Sequence, residues 1–120
     1  MKDIKIGVIE ERFANIIWEN EPLTSKELIK LCEEQLNWKS TTSYTVLKKL
    51  CDKGIFKNEH SVVTSIINKE EFYAIQNKQF VEETFDGSLP AFVTAFTKKT
   101  TLSADEIDEL EKIIKRMKRS

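Results

Sequence analysis

The segment from Ser40 to Gly54, STTSYTVLKKLCDKG, constrains the fold of this chain more than any other stretch. It predicts a helix, because Ser40 or Thr41 can accept hydrogen bonds from the first free N–H groups and Gly54 suits a left-handed turn that ends a helix. A stripe along this helix has the i, i+3, i+4, i+7 spacing of a face turned toward a core. The stripe consists of Ser43, Val46, Leu47 and Leu50.

The other surface of this helix carries hydroxyl and ammonium groups, which hydrogen-bond phosphate oxygens and base edges. A single helix is also slim enough to enter the major groove, so we call this segment the predicted recognition helix. Soluble surface helices can have the same composition, and the interpretation therefore depends on the neighbouring segments. The residues of this helix predicted to contact DNA are Ser40, Thr41, Thr42, Tyr44, Thr45, Lys48 and Lys49.

Two helices are predicted before the recognition helix. The first covers about Val8–Asn20 and ends before Pro22, because the residue before a proline avoids helical geometry. The second starts at a capping box formed by Thr24 and Glu27. Only Asn37–Lys39 separate it from the recognition helix, which predicts a helix–turn–helix pair with Trp38 packed into the core rather than stacked on bases.

A β-hairpin is predicted directly after the recognition helix. Ile55–Lys57 begin a strand, Asn58–Ser61 is a turn-prone polar tetrad, and VVTSII is rich in β-branched residues. A helix–turn–helix followed by a hairpin is the arrangement of a winged helix. Lys57 and His60, near the tip of the predicted wing, complete the predicted DNA-contacting set.

Three further helices are predicted in the last part of the chain. Asn68 can cap the fourth helix and Gly87 ends it, while Ser88 opens the fifth. Ser103 and Glu106 form a second capping box, which starts the sixth. The predicted fold is therefore mainly α with a small β-hairpin wing.

The predicted domains are a winged helix-turn-helix DNA-binding domain of residues 1–69 and a helical dimerisation domain of residues 70–120. The second region has apolar stripes that a self-sufficient winged helix would not bury, so we predict a homodimer; the alternative is that they complete the core of a monomer. A two-fold dimer would set two recognition helices roughly 34 Å, or a multiple of that distance, apart on a palindrome. The predicted interface residues are Phe80, Phe85, Leu89, Phe92, Val93, Phe96, Ile107, Leu110 and Ile114.

The charge distribution leaves two classes of binding partner open. The net charge of the chain is −1, which is low for a DNA-binding protein because cations supply much of the affinity. From Trp38 to Lys57, however, five lysines stand against one aspartate, a local net charge of +4. DNA binding is the first hypothesis, and a winged-helix protein–protein interaction module without sequence-specific DNA binding is the alternative.

The sequence argues against an enzyme. It has no nucleophile beside a general base at motif spacing, and its three glycines form no phosphate-binding loop, so we predict no catalytic residue and no cofactor. His60 is the only histidine, and Cys32 and Cys51 lack CxxC spacing, which argues against a metal site. MKDIKIGVIEE is too polar for a signal peptide and no run is long enough to insert into a membrane, so a cytoplasmic location is expected.

Several motifs together resemble a known family. The order FANIIW, TSKELI and then W-x-S-x-T-x-x-T-x-L-x-x-L-x-x-K-G is similar to the penicillinase-repressor family of transcriptional repressors. The C-terminal FDGSLPAFVTAF and LSADEIDEL are similar to that family's dimerisation region. The resemblance covers nearly the whole chain.

The resemblance implies a homodimeric winged-helix repressor that binds a palindromic double-stranded DNA operator. In the β-lactam-responsive branch, a membrane sensor protease system triggers cleavage in the fifth helix before a phenylalanine, and the matching bond here is Ala95–Phe96. That branch has Asn at the position of Ala95, so the chain departs from its pattern at the cleavage site. The copper-responsive branch has a C-terminal cysteine cluster, which the segment RMKRS lacks.

Overall fold

The computed structural model describes residues 4–119, which form two compact units, one up to Gln79 and one from Phe80 onward. The first unit contains six elements and the beginning of a fourth helix, and the second contains the end of that helix and two more. In chain order the elements are α1 (Val8–Asn20), β1 (Leu23–Thr24), α2 (Ser25–Leu36), α3 (Ser40–Asp52), β2 (Phe56–Glu59), β3 (Val62–Ser65), α4 (Lys69–Phe85), α5 (Leu89–Thr97) and α6 (Ala104–Lys118). The mainly helical fold with a small β-sheet is as predicted.

The helix–turn–helix pair forms where the sequence placed it. The Glu27 N–H donates to Thr24 Oγ1 over 3.1 Å, which is the first half of the predicted capping box at the start of α2. Asn37 ends α2 in the left-handed region with φ of 57°. Trp38 then stacks on Phe13, with ring centroids 5.6 Å apart, so its predicted packing into the core is confirmed.

Four helices and the sheet share one core in the first unit. Phe13, Leu28, Leu50 and Phe72, from α1, α2, α3 and α4, are each 0% exposed. Burying a side chain of this size stabilises the fold by about 1.5–3 kcal/mol relative to leaving it exposed. The start of α4 therefore belongs to the core that holds α3 in place. Trp18 of α1 also connects this helix to the segment before α4, because its indole N–H donates to the Ile67 carbonyl over 3.1 Å.

The sheet has three antiparallel strands in the order β1-β3-β2, one more than the predicted hairpin. The predicted turn tetrad is also too long. Asn58 and Glu59 belong to β2, where they pair with Val63 and Val62, so the turn consists of His60 and Ser61 alone. Both turn residues have positive φ, as a tight two-residue hairpin of type I′ requires.

The two ends of α3 differ in how well the sequence predicted them. Gly54 has φ of 83°, which confirms the left-handed turn after the helix. The predicted N-cap at Ser40 or Thr41 is wrong, because Lys39 is the N-cap residue and makes no side-chain capping bond. Lys39 has extended backbone whereas Ser40 is already helical, so the hydroxyls of Ser40 and Thr41 lie within the first turn and remain on an exposed surface.

The second unit contains two well-capped helices. Ser88 Oγ accepts from the Ala91 N–H at the start of α5, and Ser103 Oγ accepts from the Glu106 N–H at the start of α6, each over 3.1 Å. Both caps were predicted. No described residue from Phe80 to Arg119 is fully buried, so this unit has no closed core of its own.

Candidate nucleic-acid interface

The outermost face of α3 presents hydroxyl and ammonium groups to solvent. Thr41, Thr45 and Lys48 are all exposed on this face. The Thr45 hydroxyl donates to the Thr41 carbonyl over 2.8 Å, which fixes the hydroxyl and leaves its lone pairs to accept from amino groups on base edges. Lys48 Nζ lies 3.4 Å from Asp52 Oδ2, and both side chains are more than two-thirds exposed. An ion pair this exposed contributes little, so a phosphate can replace the carboxylate.

One flank of α3 faces the wing. Tyr44 is 47% exposed and lines a cleft of about 400 Å³ together with Leu47, Cys51 and Asn58 of β2. An exposed phenol at the edge of a helix combines a flat apolar ring with a hydroxyl that can donate or accept. This position allows Tyr44 to contact a base edge or a sugar beside the helix.

The opposite flank of α3 faces the first turn of α1 and the segment that precedes it. Lys49 Nζ lies 2.8 Å from Glu10 Oε2, and the Glu10 side chain is only 19% exposed. Lys53 Nζ donates to the Lys5 carbonyl on the same side. Thr42 lies in the first turn of α3 and is exposed.

The wing carries its two predicted contact residues on exposed positions. Lys57 Nζ lies 3.8 Å from Glu59 Oε1 on β2. His60 lies in the turn with φ of 53°, next to Ser61 with φ of 62°. The wing therefore presents one cation that is loosely paired and one imidazole at its tip.

The structure places more negative charge at this surface than the sequence segment contains. Lys48, Lys49 and Lys57 each lie within 4 Å of a carboxylate, namely that of Asp52, Glu10 and Glu59 respectively. Counting these partners, five lysines stand against three carboxylates, so the local net charge falls from +4 to +2. Among residues 4–119, Lys39 is the one lysine of this group whose side chain makes no hydrogen bond or ion pair.

Glu10, Lys5 and Lys53 are site residues that sequence reasoning missed. Glu10 had a usable local signal, because a glutamate three residues after the N-cap residue Gly7 can accept from the Gly7 N–H, which is the carboxylate half of a capping box. Nothing in the local sequence indicates that the same carboxylate reaches Lys49. The predicted contacts from Ser40 to Lys49 do share one helix, while Lys57 and His60 lie on the wing.

Comparison with known protein families decides which class of helix–turn–helix protein this is. The family model described as "Penicillinase repressor" matches residues 6–116. The chain belongs to the penicillinase repressor family. The match spans both units, so the helices from Phe80 onward are part of the family pattern as well as the winged helix.

Curated members of the penicillinase repressor family align along nearly all of the chain. The methicillin resistance regulatory protein MecI of Staphylococcus aureus strain Mu50 is 27% identical over 117 residues, covering 94% of this chain and 95% of MecI. The penicillinase repressor of Bacillus licheniformis is 28% identical over 124 residues, covering 98% and 96%. That of Staphylococcus aureus is 25% identical over 117 residues, covering 94% and 93%.

These relatives are regulatory proteins by name, and the penicillinase repressor family is a family of transcriptional repressors. Between Ile4 and Arg119, no group of three or more His, Cys, Asp or Glu side chains is placed to hold a metal ion. Within the same range, none of the helices combines the length and the apolar character that a membrane span requires.

Proposed function

We propose that this chain is a homodimeric transcriptional repressor that binds a palindromic operator through α3. The observation that carries the proposal is the exposed row of hydroxyl and ammonium groups along α3, held by a core that includes α1, α2 and α4. The alternative, a winged helix that binds only protein, does not require this row. The names of the family and of its curated members support a role in repression.

The contacts divide by position on α3 and the wing. Thr41, Thr45 and Tyr44 are proposed to contact or adjoin bases, because they occupy the outward face and the wing-side flank. Ser40, Thr42 and Lys48 are proposed to bind phosphates, and Lys57 and His60 to reach the backbone from the wing. Lys49 is set apart from this group by its pairing with Glu10 over 2.8 Å.

Dimerisation through the second unit supports the palindromic readout. Phe80, Phe85, Phe92 and Phe96 form a chain of ring contacts with centroids 5.7–6.1 Å apart, yet Phe80 and Phe96 remain 48% and 49% exposed. The chain alone thus brings these four rings together but leaves two of them half exposed, and we propose that a second copy covers those two. The proposed interface also includes the half-exposed side chains of Leu89, Val93, Ile107, Leu110 and Ile114.

Repression is proposed to be relieved by proteolysis near Ala95–Phe96, triggered by a membrane sensor. Both residues are exposed near the end of α5, so the bond lies on an accessible helix surface. Cleavage there would detach α6 from α5 and remove part of the apolar surface proposed for the dimer. A chain ending at Ala95 is therefore expected to sediment as a monomer, whereas the full chain sediments as a dimer.

The test of operator binding is footprinting of the DNA upstream of this protein's own gene at two salt concentrations. A protected palindrome with salt-sensitive affinity is the expected result. Lys48→Ala should weaken binding to all sequences alike and lower the slope of log affinity against log salt by about one unit per chain, whereas Tyr44→Ala should change the preference among operators. Absence of protection at low salt would contradict the proposal and favour a protein-binding winged helix.

A further inference from the structure

The segment from Ile4 to Glu10, which we call the N-terminal arm, is attached to the α3 flank. Ile4 is 3% exposed and belongs to the core, which anchors the beginning of the arm. Lys53 Nζ donates to the Lys5 carbonyl, and Lys49 Nζ pairs with Glu10 Oε2. Two successive cations on one flank of the recognition helix are therefore engaged by the same short segment.

Glu10 is held from two sides. Its Oε1 accepts from the Gly7 N–H over 2.9 Å, while its Oε2 lies 2.8 Å from Lys49 Nζ. The hydrogen bond from the Gly7 backbone, and then that from Lys49, hold the pKa of the Glu10 carboxyl below its ordinary value, so it remains ionised at neutral pH. A carboxylate already oriented by the backbone loses little further freedom when it binds an ammonium group.

This pair differs from the other ion pairs at the interface. Lys48 and Asp52 are 3.4 Å apart with side chains 79% and 69% exposed, whereas Glu10 is 19% exposed and its contact with Lys49 is shorter. An exposed pair exchanges its carboxylate for a phosphate with little loss, but a phosphate that takes Lys49 would leave Glu10 without its partner in a mostly covered position. Lys49 is therefore poorly placed to neutralise a phosphate and to release counterions from DNA.

We propose that Glu10 is a positioning residue that withholds Lys49 from the DNA backbone and, with Lys53, keeps the arm against α3. This inference rests on the proposed DNA-binding function. The pairing lowers the sequence-independent part of the affinity, which depends on the number of phosphates that cations neutralise, and leaves base contacts by Thr41, Thr45 and Tyr44 unchanged. Lys49, which the sequence analysis grouped with the DNA contacts, acts instead as a positioning residue.

The test compares Glu10→Gln, Lys49→Ala and the double variant with the full wild-type chain. Affinity is measured for the protected palindrome and for a random-sequence duplex of the same length at several salt concentrations. Glu10→Gln keeps an oxygen for the Gly7 N–H but removes the charge, so the slope of log affinity against log salt should steepen by about one unit per chain. Binding to the random duplex and to the palindrome should gain by a similar factor, because the added contact is to phosphate, which both duplexes present alike.

Lys49→Ala should leave the salt slope unchanged, and the double variant should return to the wild-type slope, because the gain from Glu10→Gln acts through Lys49. Glu19→Gln is the matched control, since it removes the same charge from an exposed position at the other end of α1 and should leave the slope unchanged. Equal gain in both glutamine variants would overturn the inference, because it would reflect net charge alone.

The outcomes separate this inference from the proposed function. Wild-type protein that binds neither duplex at low salt would contradict DNA binding itself. Wild-type protein that binds, with a slope lowered by Lys49→Ala and unaffected by Glu10→Gln, would overturn the inference and make Lys49 a phosphate contact. Lys49 is 55% exposed, so Lys49→Ala provides this decisive comparison even if Glu10→Gln alters folding, which circular dichroism detects.

Discussion

At the scale of single residues, the two thiols of the winged-helix unit form no disulfide and are wholly or partly buried. Cys32 is 0% exposed and Cys51 is partly buried. Burial raises the pKa of both thiols, and for Cys51 the nearby Asp52 carboxylate raises it further. The nucleophilic thiolate is therefore scarce near neutral pH.

We expect both thiols of the native protein to react with a chromogenic aromatic disulfide at pH 8 at least about tenfold more slowly than in the chain unfolded by guanidinium. Cys32→Ser is the control, because it leaves Cys51 alone and should retain the faster of the two native reactions. One thiol per chain that reacts at the unfolded rate would contradict this assignment.

The same pKa shifts predict how stability depends on pH. A thiol whose folded pKa is raised stabilises the fold fully below its unfolded pKa of about 8.5. Above that value the unfolded chain releases protons first, so the free energy of unfolding should fall as pH rises toward the folded pKa. Urea unfolding of the wild type and of a Cys32→Ala, Cys51→Ala variant, each at pH 7.5 and 9.5, measures the difference. An equal pH dependence in the two proteins would contradict a contribution from the thiols.

At the scale of elements, the wing turn contains a local strain that the hairpin overcomes. His60 and Ser61 have φ of 53° and 62°, which residues with a Cβ adopt at a cost of about 1–2 kcal/mol each. Asparagine followed by glycine suits this turn. The double substitution His60→Asn, Ser61→Gly should therefore raise the free energy of unfolding by about 1 kcal/mol, measured by urea denaturation. Ser61→Ala is the control and should give no gain, because alanine retains the Cβ.

At the scale of the whole molecule, the dimer is proposed to depend on apolar side chains that the chain leaves uncovered. Leu110 of α6 is 44% exposed in the monomer. Leu110→Asp would bring a charge into the proposed interface twice per dimer, and the lost burial alone predicts a dimer dissociation constant raised at least about 100-fold. Sedimentation velocity across a concentration series measures this change.

Glu109→Asp is the matched control for the dimer, because it introduces the same residue at the neighbouring exposed position of α6. It should leave the sedimentation coefficient unchanged. A Leu110→Asp protein that remains dimeric with normal helical content would place the interface elsewhere and remove the α6 stripe from it. Loss of the dimer should also lower operator affinity, since each monomer would bind one half-site alone.

Local patterns in the sequence were sufficient to predict the helices and most of their ends. The capping boxes at Thr24 and Ser103 and the left-handed turn at Gly54 involve residues a few positions apart, whose geometry the backbone itself determines. The burial of Ser43 and Leu50 on one face of α3 follows from helical periodicity in the same way. The winged helix could therefore be predicted before any tertiary contact was known.

Contacts between distant segments required the tertiary structure. β1 has two residues and becomes a strand only because β3 pairs with it, and the wing turn is shorter than its polar tetrad because Asn58 and Glu59 find partners across the hairpin. The charge of the interface also depends on packing, since Glu10 reaches Lys49 only after α1 and α3 have joined one core. The sequence by itself determined which polar residues lie on the exposed face of α3, and the tertiary structure decided which of their charges are paired, because ion pairing depends on distances between elements that no local pattern specifies.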